Sequence, residues 1–275
     1  MKVRHENMIS APASIEKLRW IMAQLRDPAT GCPWDIKQTF ATIVPHTIEE
    51  AYEVADAIAL EDFVELEKEL GDLLFQVIFY SQLGEEQQVL SFDGVIENVC
   101  EKLIRRHPHV FSDSESTTDA QIKANWENEK AKERAQKNNT QQLSILADIP
   151  KSLPALSQAN KIQKRCAHVG FDWHNIDDVF AKVEEEVAEV KAELKTGGEP
   201  LNQELGDLMF AVVNLCRHAK QDPESLLRAA NQKFSKRFEQ VEHLAQQKDA
   251  QVQDFNLEEL EAFWQQVKQA EIAKN

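Results

Sequence analysis

In two short segments of this chain, ELGDLLFQV from Glu69 and ELGDLMFAV from Glu204, an acidic pair is flanked by apolar residues. In the second segment the apolar positions leave little of the predicted helix facing water. These positions are Leu205, Leu208, Met209, Phe210, Val212 and Val213. The acidic pair within that segment, Glu204 and Asp207, is therefore expected to point at least partly into the protein.

Helix starts and stops can be read around these segments. Gly197 and Gly198 end one predicted helix, and Pro200 suits the first turn of the next. We expect further helix starts at the capping box Thr47-x-x-Glu50, at Asp177 or Asp178, and at Asn256. Because a short connection makes consecutive helices antiparallel neighbours, the helix before each apolar segment should pack against it.

The two segments belong to a longer repeat. The tetrapeptide GCPW, ending at Trp34, precedes the first segment, and GFDW, ending at Trp173, precedes the second. Downstream, Trp126-x-x-x-Lys130 corresponds to Trp264-x-x-x-Lys268. The preserved order predicts two copies of one helical domain, which we place at residues 1–140 and 141–275 with a polar linker at 134–142.

Composition supports an all-α fold and narrows the function. Eight Gly, nine Pro and two Tyr in 275 residues favour helices over sheets. The formal net charge of -16 argues against binding to nucleic acid or to an anionic membrane, since those surfaces need a basic footprint. The four cysteines show no zinc-site or disulfide spacing, and no apolar stretch approaches the length of a membrane span. We expect a cytoplasmic protein.

Acidic residues have the same layout in both copies. Glu185-Glu186-x-x-Glu189 is followed by Glu204-x-x-Asp207, as Glu49-Glu50-x-x-Glu53 is followed by Glu69-x-x-Asp72. Each motif crowds carboxylates onto one helix face, where a pair about 4 Å apart repels by roughly 4 kcal/mol near a protein surface. A divalent cation such as Mg2+ would offset this repulsion and could hold a phosphate. The pattern therefore indicates metal-assisted phosphate chemistry, with a solvated acidic face as the alternative.

Basic and aromatic residues near the C-terminus form a second candidate set. Lys233 and Arg237 lie one helical turn apart and could donate hydrogen bonds to phosphates, although an exposed charged face has the same pattern. Trp264 could stack on a base while Lys268 meets a phosphate. A core or dimer-interface tryptophan is the alternative.

Two further pairs of positions bear on the repeat. Lys182, one turn before the acids of the second copy, could add a phosphate contact, whereas the first copy has His46 there. Gly71 and Gly206 lie in mid-helix, where glycine costs about 1 kcal/mol relative to alanine. We expect close helix approach to offset that cost.

Several other kinds of site are excluded by their missing motifs. The chain has neither the Gly-x-x-x-x-Gly-Lys phosphate loop nor the Gly-x-Gly-x-x-Gly dinucleotide motif. No histidine lies three residues after a glutamate, as a carboxylate-bridged di-iron bundle would require.

Together these motifs resemble the MazG-type nucleoside triphosphate pyrophosphohydrolases. The resemblance rests on Glu-Glu-x-x-Glu followed about fifteen residues later by Glu-x-x-Asp in two copies, on GCPWD ending at Asp35, and on RHPHVF ending at Phe111. It covers nearly the whole chain and is similar to the two-domain bacterial form. The resemblance implies tandem all-α domains like four-helix bundles, a homodimer, and cleavage of NTP to NMP and pyrophosphate with Mg2+ or Mn2+.

The resemblance also implies roles for individual residues of the second copy. It implies that the metal ligands are Glu186, Glu189, Glu204 and Asp207. It also implies that Glu185, beside them, orients or deprotonates water. It further implies that the nucleotide is bound by Lys182, Lys233, Arg237, Trp264 and Lys268. In the two-domain members the C-terminal copy is catalytic, and we favour the same assignment here.

The first copy is left open, because it keeps all four acids, Glu50, Glu53, Glu69 and Asp72. Loss of ligands therefore cannot make it inactive, whereas His46 in place of Lys182 would weaken its hold on phosphate. The alternative to an enzyme is a regulatory helical module that senses nucleotides or partner proteins without turnover. Base and sugar preference have no identifiable signal in the sequence.

Overall fold

The chain folds into two compact helical units, Met1–Asn139 and Thr140–Asn275. The structure is a computed structural model that describes residues 8–112, 118, 121–122, 125–126, 128–129, 132–133, 144–195 and 197–273. This described part contains helices and no strands, so the all-α prediction is confirmed. None of the described helices is long and apolar enough to cross a membrane. The predicted linker at 134–142 lies outside the described residues.

The first unit is built around one long helix pair. Its helices are α1 (Ile15–Leu25), α2 (Pro33–Lys37), α3 (Phe40–Ala59), α4 (Phe63–Gln87), α5 (Phe92–Arg106) and α6 (Pro108–Phe111). Helices α3 and α4, joined by residues 60–62, pack along each other, and α1 packs on α4. The core between them consists of Met22, Ile43, Ile78, Phe79, Leu83 and Phe92.

The second unit repeats this arrangement. Its helices are α7 (Ala155–His168), α8 (Ile176–Glu193), α9 (Gly198–His218), α10 (Pro223–Gln246) and α11 (Leu257–Ile272), with a 3-10 turn at Val252–Asp254. Helices α8 and α9 form the main pair, α7 packs on α9, and α10 and α11 pack on each other. The predicted pairing of each apolar segment with the helix before it is thus confirmed in both copies.

Local sequence explains where these helices begin, and the structure corrects two predicted helix starts. The capping box predicted at Thr47 is wrong, because α3 already begins at Phe40 after a capping box made by Thr39 and Thr42. The Thr47 hydroxyl instead donates to the carbonyl oxygen of Ile43 within the helix. At the start of α8 the cap is Asn175, which precedes the two predicted aspartates.

The predicted start of α11 is confirmed. The Asn256 side chain accepts from the backbone N–H of Glu259, and the Glu259 carboxylate accepts from the backbone N–H of Asn256. The expected close helix approach at Gly71 and Gly206 is wrong within one chain, since a methyl group built at either glycine would meet nothing within 4 Å.

Candidate active site

Three carboxylates of the second unit converge between α8 and α9. Oxygens of Glu186, Glu189 and Glu204 all lie within 4.8 Å of one another. Glu186 is only 5% exposed, and its Oε2 is buried without a hydrogen-bond partner in the described structure. Because a buried carboxylate oxygen without a partner is costly, this set fits a hard cation, which prefers oxygen ligands. The cluster could therefore hold a metal ion.

Lys182 supplies part of the missing positive charge. Its Nζ lies 2.8 Å from Glu186 Oε1 and 3.0 Å from Glu185 Oε1. These hydrogen bonds raise the pKa of Lys182, so the lysine stays charged. Burial, followed by the charges of Glu186 and Glu204, still raises the pKa of Glu189. One ammonium group therefore does not neutralise the cluster.

Asp207, the fourth predicted ligand, lies one turn after Glu204 on α9 and is exposed. It does not belong to the set of three mutually close carboxylates. It does line a cavity together with Glu186 and Lys182. Its role as a ligand stays a prediction.

The first unit has a similar cluster. Oxygens of Glu50, Glu69 and Asp72 lie within 4.8 Å of one another. Burial, then the charge of Asp72, raises the pKa of Glu50, and burial together with Glu53 raises the pKa of Glu69 to about 6. His46, at the position of the second unit's lysine, lies 3.6 Å from Glu49. This cluster could also hold a metal ion, so the presence of a carboxylate cluster does not separate the two copies. Its members correspond to Glu186, Glu204 and Asp207 of the second unit, so the two sets differ by one carboxylate.

Three of the predicted nucleotide-binding residues of α10 and α11, Lys233, Arg237 and Trp264, lie together around Glu271. Arg237 donates to the Glu271 carboxylate at 2.7 and 2.9 Å, and its guanidinium lies over the Trp264 ring. The same ring contacts Phe234, with 5.1 Å between ring centroids. Arg237 and then Lys233 lower the pKa of Glu271. Among the described residues, no hydrogen bond, ion pair or ring contact joins Arg237, Trp264, Lys233 or Lys268 to the carboxylates of α8 and α9.

The first unit repeats this ion pair too. Arg105 and Arg106 both donate to Glu133, and these bonds hold the pKa of Glu133 at about 2. The Trp126 ring contacts the His107 ring, with 5.2 Å between the ring centroids. Lys130, the counterpart of Lys268, lies outside the described residues.

A cavity of about 160 Å3 opens beside the second unit's carboxylates. Its lining includes three side chains of the charged site, Lys182, Glu186 and Asp207. The remainder is largely apolar and aromatic, with Ile162, Cys166, Phe171, Trp173, Val179, Phe210 and Ala211. Gln163, Asn214 and Arg217 add polar groups.

A hydrogen-bonded network fixes one wall of this cavity. Arg217 donates to both carboxylate oxygens of Asp172 and, through Nε, to Asn214 Oδ1 at 2.8 Å. His218 Nε2 lies 3.0 Å from Asp172 Oδ1. Burial alone would raise the pKa of Asp172, but the bonds from Arg217 and His218 hold it at about 2. Asp172 thereby ties the loop that carries Phe171 and Trp173 to the end of α9.

Sequence reasoning from shared motifs missed this cavity, although a signal for it exists. Along the two helices that carry the repeated apolar segments, four positions change in character between the copies. Gln76, Phe79, Gln82 and Leu83 of the first copy correspond to Ala211, Asn214, Arg217 and His218 of the second. Three of the four second-copy residues line the cavity, and His218 contacts Asp172. The signal therefore lay in the differences between the copies.

Known proteins of one family resemble the chain over nearly its full length. The family described as "MazG nucleotide pyrophosphohydrolase domain" matches residues 38–111 and 175–242. A nucleoside triphosphate pyrophosphohydrolase of Escherichia coli K12 is 51% identical over 94% of this chain and 98% of that protein. The nucleoside triphosphate pyrophosphohydrolase/pyrophosphatase MazG of Thermotoga maritima is 41% identical over 95% of this chain and 98% of its own length.

Proposed function

The chain belongs to the MazG nucleotide pyrophosphohydrolase family, and we propose that its second unit is the catalytic one. The chain is a nucleoside triphosphate pyrophosphohydrolase by close similarity to enzymes of that name. The reaction converts NTP and water into NMP and pyrophosphate. One observation carries the assignment to the second unit: its carboxylate cluster adjoins an open cavity bordered by Ala211 and Asn214. In the described part of the first unit, the matching positions of α4 hold the buried side chains of Gln76 and Phe79.

The proposed metal is Mg2+, with Mn2+ as a substitute. Glu186, Glu189 and Glu204 would hold it, with Asp207 as the further ligand. The unpartnered Oε2 of Glu186 and the mutual closeness of three carboxylates support this choice. When bound, Mg2+ would polarise a phosphoryl oxygen, lower the pKa of water, and stabilise charge on the pyrophosphate leaving group.

The chain's own residues would bind and orient the reactants. Glu185 is exposed beside the cluster and hydrogen-bonded only through one oxygen to Lys182 in the described structure, so it can accept a proton from water or orient it. The Lys182 ammonium has three donors, two of which are used by Glu185 and Glu186. Its third donor is available for a phosphate oxygen.

The substrate's phosphates need more positive charge than Lys182 provides. Lys233, Arg237 and Lys268, with Trp264 packed against the arginine, would supply it from the α10–α11 cluster. Since no described contact joins this cluster to the carboxylates in one chain, we propose that a homodimer brings the two together.

An exposed apolar face on α9 supports the homodimer. Leu205, Met209 and Val212 recur at helical spacing and are all exposed, Met209 by 65%. Gly206 on the same helix has open space around it. Because monomeric proteins rarely leave a contiguous apolar face in water, a second copy covering α9 would explain both features.

Isotope labelling tests the proposed reaction. With 18O-labelled water and an NTP substrate, the label should appear in NMP, because attack at the α-phosphorus leaves pyrophosphate unlabelled. Attack at the β-phosphorus would instead place the label in pyrophosphate. Release of NDP and orthophosphate as first products would contradict the proposal.

A further inference from the structure

We propose that Glu271 sets the affinity of the nucleotide site: its carboxylate binds Arg237 in the free protein and is displaced when the phosphates of the substrate bind there. The inference rests on the proposed phosphate-binding role of α10 and α11. It adds to that role a competing carboxylate of the same chain, which the sequence motifs do not identify.

Glu271 uses the donors that an arginine offers to phosphate. One oxygen of its carboxylate, Oε2, accepts from Nε of Arg237 at 2.9 Å and from Nη2 at 2.7 Å. An arginine binds phosphate oxygens through the same kind of charge-assisted hydrogen bond. A substrate phosphate and the Glu271 carboxylate therefore compete for one edge of the guanidinium.

The surroundings of Glu271 are those of an anion-binding site. Hydrogen bonding by Arg237 lowers the pKa of Glu271, and the charges of Arg237 and Lys233 lower it further. Lys268 lies three residues before Glu271 on α11, and hence on the same side of that helix. Glu271 is thus a charged carboxylate among three of the cations that we propose for the substrate's phosphates.

Aromatic side chains hold the guanidinium in place from another direction. The central carbon of the Arg237 guanidinium lies 5.9 Å from the centroid of the Trp264 ring. That ring packs on Phe234, which stacks on Phe238. Arg237 can therefore exchange one anion for another without leaving its position over Trp264.

The ion pair is accessible enough to be exchanged. The side chains of Arg237 and Glu271 are 22% and 44% exposed. Water screens such a pair, which therefore contributes little to stability. A triphosphate carries several negative charges and can accept more hydrogen bonds from the cations than one carboxylate does. The phosphates should therefore displace Glu271, and the displacement should cost part of their affinity.

The first unit has the same pair in a stronger form. Glu133 follows Trp126 by seven residues, as Glu271 follows Trp264. Two arginines, Arg105 and Arg106, donate to Glu133 and hold its pKa at about 2. In the described structure Glu271 accepts from one arginine. The carboxylate of the first unit should be harder to displace, which agrees with our assignment of catalysis to the second.

A variant that removes the charge tests the proposal. Glu271→Gln keeps the size of the side chain and one acceptor oxygen. It should lower the Kd of inorganic tripolyphosphate, measured by calorimetry with Mg2+, by about 2- to 5-fold, the range expected for an exposed ion pair. KM for NTPs should fall by a similar factor. The matched control Glu133→Gln, which changes the net charge equally, should leave both constants unchanged.

A double variant shows whether the carboxylate acts through Arg237. In an Arg237→Gln background, Glu271→Gln should lose most of its effect on the tripolyphosphate Kd, because the competition needs the guanidinium. An undiminished effect there would overturn the proposal, since the carboxylate would act only through the general negative charge of the protein. Unchanged or weaker tripolyphosphate binding in the single variant would overturn it too. Glu271 would then be a structural partner of Arg237, and its removal would be seen in urea unfolding alone.

The same measurements separate this proposal from the one on which it rests. If α10 and α11 do not bind the substrate, Arg237→Gln will leave the tripolyphosphate Kd and the KM for NTPs at their wild-type values. If only the role of Glu271 is wrong, Arg237→Gln will weaken both while Glu271→Gln tightens neither.

Discussion

The two units hold nearly the same carboxylates in nearly the same place, yet they differ in what lies beside them. In the second unit Ala211 and Asn214 border a cavity, and in the first Gln76 and Phe79 are buried in the matching positions. Acidic motifs alone therefore describe where a cation can bind. The neighbouring α9 residues border the cavity on which we base the assignment of the catalytic unit.

The difference has an energetic side. Phe79 fills part of the core of the first unit and thereby stabilises it. Replacing a buried phenylalanine by alanine typically lowers the free energy of unfolding by about 3 to 5 kcal/mol. The second unit has the polar Asn214 there, hydrogen-bonded to Arg217, which in turn is paired with Asp172. A polar network beside a cavity is typical of functional sites, which often make the folded protein less stable than a fully packed core would.

The largest effect should come from removing the metal. With EDTA in place of Mg2+, we expect no pyrophosphate release from any NTP. Restoring Mg2+ should also raise the melting temperature, because a cation that binds only the folded clusters stabilises by mass action. Full activity in a chelator-treated sample would contradict the metal assignment for both units.

The next effect separates the carboxylates of the two units. Glu189→Gln should lower kcat by about 1000-fold, which corresponds to the several kcal/mol that a metal ion contributes to such reactions. Its matched control, Glu53→Gln in the first unit, should keep most of the activity. If the two variants exchanged these results, the first unit would be the catalytic one.

A smaller effect concerns the network that holds the cavity wall. Asp172→Asn should destabilise the protein by about 2 kcal/mol at pH 7, because the folded-state pKa of about 2 lies below the ordinary value of 3.8. A lowered pKa stabilises the folded state above pH 3.8 and stops doing so as the pH falls through 2. The difference from wild type, measured by urea unfolding, should therefore shrink between pH 4 and pH 2.

The control for that measurement is Asp148→Asn. Asp148 pairs with Arg165 but is 48% exposed, and such surface pairs contribute only about 0 to 1 kcal/mol. An equal loss of stability in the two variants would show that the Asp172 network stabilises the protein no more than an exposed ion pair does.

Much of the fold and part of the site could be predicted from sequence. Helix pairing around Glu69 and Glu204 follows from short connections and apolar patterning, which are local features. The convergence of Glu186, Glu189 and Glu204 follows from their spacing on two adjacent helices. These parts depend on contacts within one turn or one helix pair.

The remaining features depend on contacts between distant elements. The cavity is lined by Gln163 on α7, Asp172 in a loop and Asn214 on α9. No single sequence motif contains these three residues. The start of α3 is not predicted correctly because Thr47-x-x-Glu50 matches the usual Ser/Thr-x-x-Glu capping pattern, whereas the capping box that forms pairs Thr39 with Thr42. The resemblance groups the basic residues of α10 and α11 with the acids, whereas within one chain Arg237 contacts Glu271 and Trp264.

We propose that the space beside the carboxylates, and not the carboxylates themselves, makes the second unit the catalytic one. Transferring the first unit's residues into the second, as Ala211→Gln with Asn214→Phe, tests this proposal. We predict that this double variant loses NTP hydrolysis while it keeps the Mg2+-induced rise in melting temperature. Hydrolysis with an unchanged KM in the folded double variant would contradict the account.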